Sequence, residues 1–574
     1  MQPACSSFID FKLSSVMENR LAIADIAVFA FYFIAVAVYG WVVYKRKKQK
    51  ERNDTKNFFL AEGTLTWWAI GASLIASNIS AEQFIGVSGD GFSMGLAIAG
   101  YEWMGALTLI VVALFFIPVF LKNKIFTMPQ FLRERYGERV SMVMTIFWLL
   151  LYVFVNLTSI LFLGALCLSS LSGINLTVCM FALATCALFV TLGGMKVIAN
   201  TDVIQVLVLI IGGLATTWLG LHLVARQAGG SGAFRGFALL LEKAPDHFHM
   251  ILKKDNPHFL NMPGLTALVG GMWIANLNYW GFNQYITQRA LGADLSTARS
   301  GLLFAAFLKI LMPVIICVPG IAVYVLHHNG SLGNEMYTHG ALNKDHAYPV
   351  LLNLLGPGMK GLALAALTAA IIASLAGKAN SISTIFTLDI YKNNIRKDAS
   401  EKAMLRIGRI TIIAALAIAV LTAPFLGIDK AGGFAFIQEY TGFISPGVVA
   451  MFLLGIFWKR TSSQAAFLGL VCSFLLSVVL KFLPGWVDLS FLNPSGFAVV
   501  NPASGFYEIP FLDRMSIVFI ATFLLMVLVS LAAGGTRKEE HVPIDKSLFK
   551  VSNAFIAGCL LLLGVLVAIY TAFW

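Results

Sequence analysis

Fourteen apolar stretches follow one another along the chain, near residues 24–45, 66–88, 93–121, 140–169, 176–195, 202–225, 263–288, 301–326, 360–390, 404–426, 433–458, 463–483, 513–533 and 553–573. Each is close to the roughly 20 residues that a helix needs to cross a bilayer. In lipid every backbone amide must be satisfied within its own segment, so stretches of this length fold as helices. Of the 574 residues 58% are hydrophobic and 12% charged, against about 25% charged in soluble domains. The chain is therefore expected to be an all-α polytopic membrane protein. No connection between the stretches is long enough for a separate soluble domain of about 50 residues or more.

The net charge of +12 sits in short loops beside apolar runs, which fits membrane topology better than nucleic-acid binding. KRKKQKERNDTK, from Lys45 to Lys56, is densely basic, and so are the segments around Arg133, Lys392, Lys459 and Arg537. The intervening SSLSGIN, LGIDKAGG and the segment from Val487 to Asp513 are nearly free of Lys and Arg. Basic loops stay in the cytoplasm, so both termini are expected outside. The first twenty residues carry acids and lack an apolar signal core, and no cleaved signal is read there.

The seven cysteines show no metal spacing and read as inert core thiols. His247, His249, His258, His327 and His328 fall in or at outside loops and read as solvated. No pairing of nucleophile and base stands in a chemical spacing. Nothing supports an enzyme.

Two stretches are unusually polar for their position. Ser73, Ser77, Asn78, Ser80, Glu82 and Gln83 interrupt the second; Gly270, Gly271, Asn276, Asn278, Asn283 and Gln284 interrupt the seventh. Polar groups at membrane depth are tolerated where they face a cavity, a partner or a ligand. Broken helices at equivalent positions of two five-span blocks point to an inverted-repeat carrier with its solute near the midplane. The expected division is residues 1–62 as an outer terminus, one peripheral helix and a basic loop; 63–460 as the transport core; and 461–574 as peripheral helices. Within the core the repeats run from about 66 to 226 and from about 263 to 460.

SNISAEQFIG, YEWM, FVNLTS, TDVIQV, ANLNYWGFNQYITQR, FAAFLK, NSISTIFTLDIYK and FIQEYTGFISPG closely resemble the sodium/solute symporter family, in its sodium/glucose (galactose) cotransporter branch and most of all its bacterial members. The likeness runs from about residue 55 to 460 and implies a five-plus-five fold of the LeuT type. It implies sugar contacts at Gln83, Glu102, Asn276, Lys309 and Gln438, with Tyr279 and Trp280 as an aromatic gate. Such groups suit the task, because amide, carboxylate and ammonium offer directional bonds to hydroxyls and a flat ring covers the apolar face of a pyranose. The likeness also implies a Na⁺ site made of the carbonyls of Ala76 and Ile79 with Ala370 and Ser374 from span nine, since a hard cation takes oxygen ligands.

The chain departs from the family pattern at four positions. Ala373 stands where a second hydroxyl ligand is common, Gly105 and Gly377 stand where a sugar-contacting serine is found, and Lys378 stands where an apolar residue is usual. Lys378 lies one turn after Ser374, on the same helix face. Three roles are open to it: replacing or competing with the ion, donating to a substrate oxygen, or pairing structurally. Asp202 reads as an interfacial helix cap or as a step in sodium exit; Asn156 and Asn380 read as interhelical bonding groups.

The expectation is a plasma-membrane carrier importing a monosaccharide of the galactose or glucose class with Na⁺ by alternating access, able to work as a monomer. The alternatives are a Na⁺-independent carrier of a sugar or sugar acid, assisted by a proton or by Lys378, and a sugar-gated sensor.

Overall fold

The computed structural model describes residues 21–46, 65–193, 195–338, 340–425, 433–502, 504–533 and 546–574. Cys5 and most of the basic loop that begins at Lys45 lie outside them. The described residues are helical almost throughout, apart from two small antiparallel hairpins, Tyr337–Thr338 with Ala341–Leu342 and Val499–Val500 with Tyr507–Glu508. Among the described residues nine helices are long and apolar enough to cross a membrane, or ten if Phe434–Gly442 and Ser445–Phe457, bent by 51°, form one span.

Both polar stretches are broken. Trp67–Asn78 stops where Ile79 turns extended (φ −84°, ψ 106°), and the chain resumes helical form at Glu82–Val87 and Ser88–Met94. Just before the stop Ser77 donates back to the Ser73 carbonyl at 2.6 Å, a side-chain bond that weakens and bends a helix. In the seventh stretch Met272–Gly281 ends at Phe282, and Asn283 (φ −95°, ψ 118°) caps Gln284–Leu291 by accepting from the Tyr285 amide at 3.1 Å.

Gly270 and Gly271, read above as part of that interruption, do not break the helix. They lie in the widened turn Ala267–Gly271. A Cβ there would fall 2.3 Å from Ser516 Oγ or from the Leu512 carbonyl. Their absent side chains let Phe511–Ala532 lie directly on the broken helix.

The packing repeats with a five-span offset. The first broken helix packs on Leu295–Ile316 of span eight, and the second on Gly100–Val111 of span three. The first also meets Met195–Gln227 of span six, as the second meets Ser445–Phe457 of span eleven. Span four touches Glu401–Thr422 of span ten, as Met359–Ile385 of span nine touches Leu176–Leu192 of span five. Each of these three contacts has its counterpart in the other block, as two related repeats require.

The flanking helices are less peripheral than the division at residue 461 suggests. Met515 lies in the wall of the central cavity. Ile23–Arg46 packs on span nine, where Asp25 Oδ1 accepts from the amides of Gly358 (2.7 Å) and Gly361 (2.8 Å) at its start.

Candidate functional site

Between the two breaks lies a cavity of about 60 Å³. Gln83, Glu102, Asn276, Lys309 and Gln438 all line it, as do Tyr279 and Trp280. Residues that span more than 350 positions of sequence are therefore brought to one place. Lys309 and Glu102 form a buried ion pair, and the Lys309 ammonium also donates to Asn78 Oδ1. The same ammonium sits 5.1 Å from the centre of the Trp280 ring, within cation–π range. Asn78 Nδ2 donates to the Tyr279 hydroxyl at 3.2 Å, and the Tyr279 and Trp280 rings meet edge to face at 5.1 Å.

Glu82 Oε2 and Gln83 Oε1 are buried and have no hydrogen-bond partner among the described residues. Asn278 donates from Nδ2 to Ser445 Oγ at 2.9 Å, and its Oδ1 is likewise buried without a partner among the described residues. Unpaired acceptors at membrane depth are costly, and those of Glu82 and Gln83 open on a cavity edged by an ammonium and two aromatic rings. Hydroxyl donors would satisfy them.

Beside the cavity the first break leaves the carbonyls at the end of Trp67–Asn78 without helical amides. Ser374 Oγ, from span nine, lies 3.1 Å from the Ser77 carbonyl and 3.4 Å from that of Ala76. The Tyr285 hydroxyl donates to the Ser77 carbonyl as well. Ala370 and Ala373 are buried on the same helix. Motif likeness points to the carbonyls of Ala76 and Ile79; the Ser77 carbonyl, which draws both hydroxyls, has no mark in the sequence, because the identity of a side chain says nothing about its own carbonyl.

Lys378 is buried, donates to Asn156 Oδ1 at 2.9 Å and stands 5.0 Å from the centre of the Tyr285 ring. Asn156 lines the cavity, so this asparagine does more than join helices. The space next to Gly377 is taken: a Cβ would come within 2.7 Å of Arg289 Nη2 and 2.8 Å of Tyr285 Cε2. At Gly105 a Cβ would meet Trp280 Nε1 at 3.0 Å and Asn276 Oδ1 at 3.2 Å, inside the cluster itself.

Asp202 is not a helix cap, because Met195–Gln227 begins seven residues before it. Its buried carboxylate accepts from Ser73 Oγ at 2.5 Å and faces Arg289 Nη2 at 3.6 Å. Arg289 also donates to Ser73 Oγ at 2.9 Å and to the Tyr285 carbonyl at 2.5 Å. His247, expected to be solvated, is buried against Tyr324 with Nε2 3.0 Å from the Phe92 carbonyl. Among the described cysteines Cys167, Cys179 and Cys317 are buried, while Cys186 and Cys472 are exposed rather than in the core.

The profile of the Sodium:solute symporter family matches residues 58–472. The chain belongs to that family. It is a membrane transport protein of the symporter kind, not an enzyme. The "Sodium/glucose cotransporter" of Vibrio parahaemolyticus is 43% identical over 571 residues, which is 98% of this chain and 100% of that protein. The "Sodium/myo-inositol cotransporter 2" of Sus scrofa is 33% identical over 80% of this chain and 70% of its own length. Among solved structures, a Na⁺-coupled sialic acid symporter in a substrate-bound outward-open state superposes with a TM-score of 0.74 over 90% of this chain and 99% of its own. At 21% identity it speaks for the fold alone, which is the broken-helix symporter architecture described above.

Proposed function

We propose that this symporter imports a monosaccharide of the galactose or glucose class together with Na⁺ by alternating access. The observation that carries the proposal is the convergence of Gln83, Glu102, Asn276, Lys309, Gln438 and Tyr279 on one cavity, beside a helix break whose carbonyls gather under Ser374. The 43% identical sodium/glucose cotransporter supports the same substrates. Sugar hydroxyls take the place of internal partners at Lys309 and Glu102 and satisfy the unpartnered Gln83 Oε1, and the Tyr279 and Trp280 rings close over the pyranose. The residues assigned to Na⁺ are Ala76, Ile79, Ala370 and Ser374.

Coupling requires the ion to favour the substrate-competent state differentially. A short covalent path serves that end. Ser77, whose carbonyl Ser374 and Tyr285 hold, is followed at once by Asn78, which holds Tyr279 and Lys309. An ion drawing on the carbonyls at the break shifts the backbone from which Asn78 projects.

Lys378 gives this carrier a variant of that scheme. With Ala373 lacking a hydroxyl and Lys378 bonded to the cavity residue Asn156, the ammonium competes with Na⁺ and weakens its requirement. Residues 63–460 form the transport core, both termini lie outside a plasma membrane crossed fourteen times, and the monomer is the working unit.

Uptake of labelled galactose and glucose into proteoliposomes tests the reading. A Na⁺ gradient should drive accumulation that a K⁺ gradient does not, and equilibrated vesicles should show counterflow. Binding without counterflow would mean a sensor. Measured against Na⁺ and pH, Lys378→Met and Ala373→Ser should each steepen the Na⁺ dependence; a dependence already steep and unmoved by either removes Lys378 from the mechanism.

A further inference from the structure

The short helix Gly433–Gly442 presents two working faces. Phe434, Ile437, Gln438 and Thr441, at helical spacing, line the cavity. Glu439 lies about 100° further round the helix and turns away from it. Its Oε1 accepts from Lys481 Nζ of span twelve at 2.5 Å and from Arg514 Nη2 of span thirteen at 2.7 Å. One carboxylate thus ties three helices together through charge-assisted bonds, the strong class of hydrogen bond. The next residue of span thirteen, Met515, lines the cavity itself and lies 3.1 Å from where a Cβ on Gly442 would sit.

The helix that bears Gln438 has little to fix it along its own axis. It runs for ten residues and then meets Ser445–Phe457 at 51°. Across that bend the backbone bonds are turn-like, Phe443 N to the Tyr440 carbonyl at 3.4 Å and Ile444 N to that of Thr441 at 3.2 Å, joined by Ser445 Oγ donating to the Thr441 carbonyl at 2.8 Å. A segment this short, bent at its end, takes its rotational setting from lateral ties, and the two cations on Glu439 supply charge-assisted ones.

We infer that Glu439 is a positioning residue for substrate: its bonds to Arg514 and Lys481 set the rotation of Gly433–Gly442 and hence the place of the Gln438 amide in the cavity. Span thirteen then belongs to the binding machinery, through Arg514 indirectly and through Met515 directly. The inference rests on the sugar-carrier reading above.

The test uses the full chain in proteoliposomes, with initial galactose uptake measured at saturating Na⁺. Glu439→Gln and Arg514→Met should each raise KM by about tenfold, as expected for loss of a charge-assisted bond that orients a ligand group. Vmax per folded carrier and half-saturating Na⁺ should stay unchanged. The double variant Glu439→Lys with Arg514→Glu rebuilds the pair with reversed sign and keeps an acid beside Lys481, so it should return KM toward that of the unmodified protein. In parallel, the rate at which a water-soluble maleimide modifies Gln438→Cys should change when Glu439→Gln is added, a readout that needs no sugar. A merely structural pair would lower the yield of folded carrier and leave both KM and the labelling rate alone, and that result overturns the inference. If the unmodified protein takes up no sugar while the labelling rate still shifts, the positioning role stands and the sugar-carrier reading falls.

Discussion

Lys309→Met removes an ammonium and keeps most of the stem, leaving Glu102 as a carboxylate with 3% exposure and no cation bonded to it. Breaking a buried pair by removing one partner destabilises by about 3–5 kcal/mol. Lys309 also holds Asn78 Oδ1 and stands over Trp280, so the upper part of that range is expected. Glu102→Gln is expected at its lower end, because the ammonium keeps Asn78 as a partner. The double variant restores neutrality and should recover most of the loss, giving a coupling of about 4 kcal/mol or more, larger than the sub-kilocalorie couplings usual between membrane helices. Reversible unfolding of purified protein in mixed detergent measures all four proteins of the cycle. Because the double variant is folded and uncharged, its sugar KM separates binding from stability, and a raised KM is expected. Additive single effects, each under about 1 kcal/mol, would mean that the pair is hydrated and would refute the reasoning.

Ser374→Ala deletes the hydroxyl that reaches the carbonyls of Ala76 and Ser77 and should raise half-saturating Na⁺ by about tenfold or more, with sugar affinity at saturating Na⁺ little changed; uptake against Na⁺ concentration reads it. Asp25→Ala leaves the amides of Gly358 and Gly361 without their acceptor and should destabilise by about 2 kcal/mol without moving the sugar KM. Burial lowers the His247 pKa in its loop, although its bond to the Phe92 carbonyl opposes the shift. The unfolded chain therefore takes up a proton first as the pH drops, so the stabilising contribution is complete above about pH 6.5 and declines as the pH falls through the unfolded value toward the folded one. Thermal unfolding followed from pH 8 to 5 should show this decline, and His247→Gln should flatten it.

The breaks were legible because Ser, Asn, Glu and Gln have few reasons to interrupt an apolar stretch, and both stretches do break. The positions were less legible. Gly270 and Gly271 look like breakers, yet they serve close packing, whereas Phe282, with nothing in its type to mark it, takes the irregular backbone (φ −125°, ψ 6°). The cavity residues were recoverable through motif likeness, and their convergence needed the fold. Met515 gave no signal, since one methionine in an apolar span looks like any other. The cap reading of Asp202 fails because a residue beside a loop in sequence resembles a cap, while the helix starts two turns earlier.

Gly377 shows how one departure changes the meaning of another. Its missing side chain suggests vacated space in the substrate cavity, yet Arg289 and Tyr285 fill that space, and both belong to the network around Ser73 and Ser77. A serine at 377 would push on the tyrosine that holds the Ser77 carbonyl, and its effect would reach the ion before the sugar. Lys378 stands over the same ring at 5.0 Å while its ammonium is bonded to Asn156. Gly377→Ser should therefore shift half-saturating Na⁺ more than sugar KM, and combining it with Lys378→Met should give a non-additive change, because both act through Tyr285. Uptake titrated separately in Na⁺ and in galactose distinguishes the cases. A change confined to the sugar titration would place Gly377 in the cavity wall and uncouple it from the ion network.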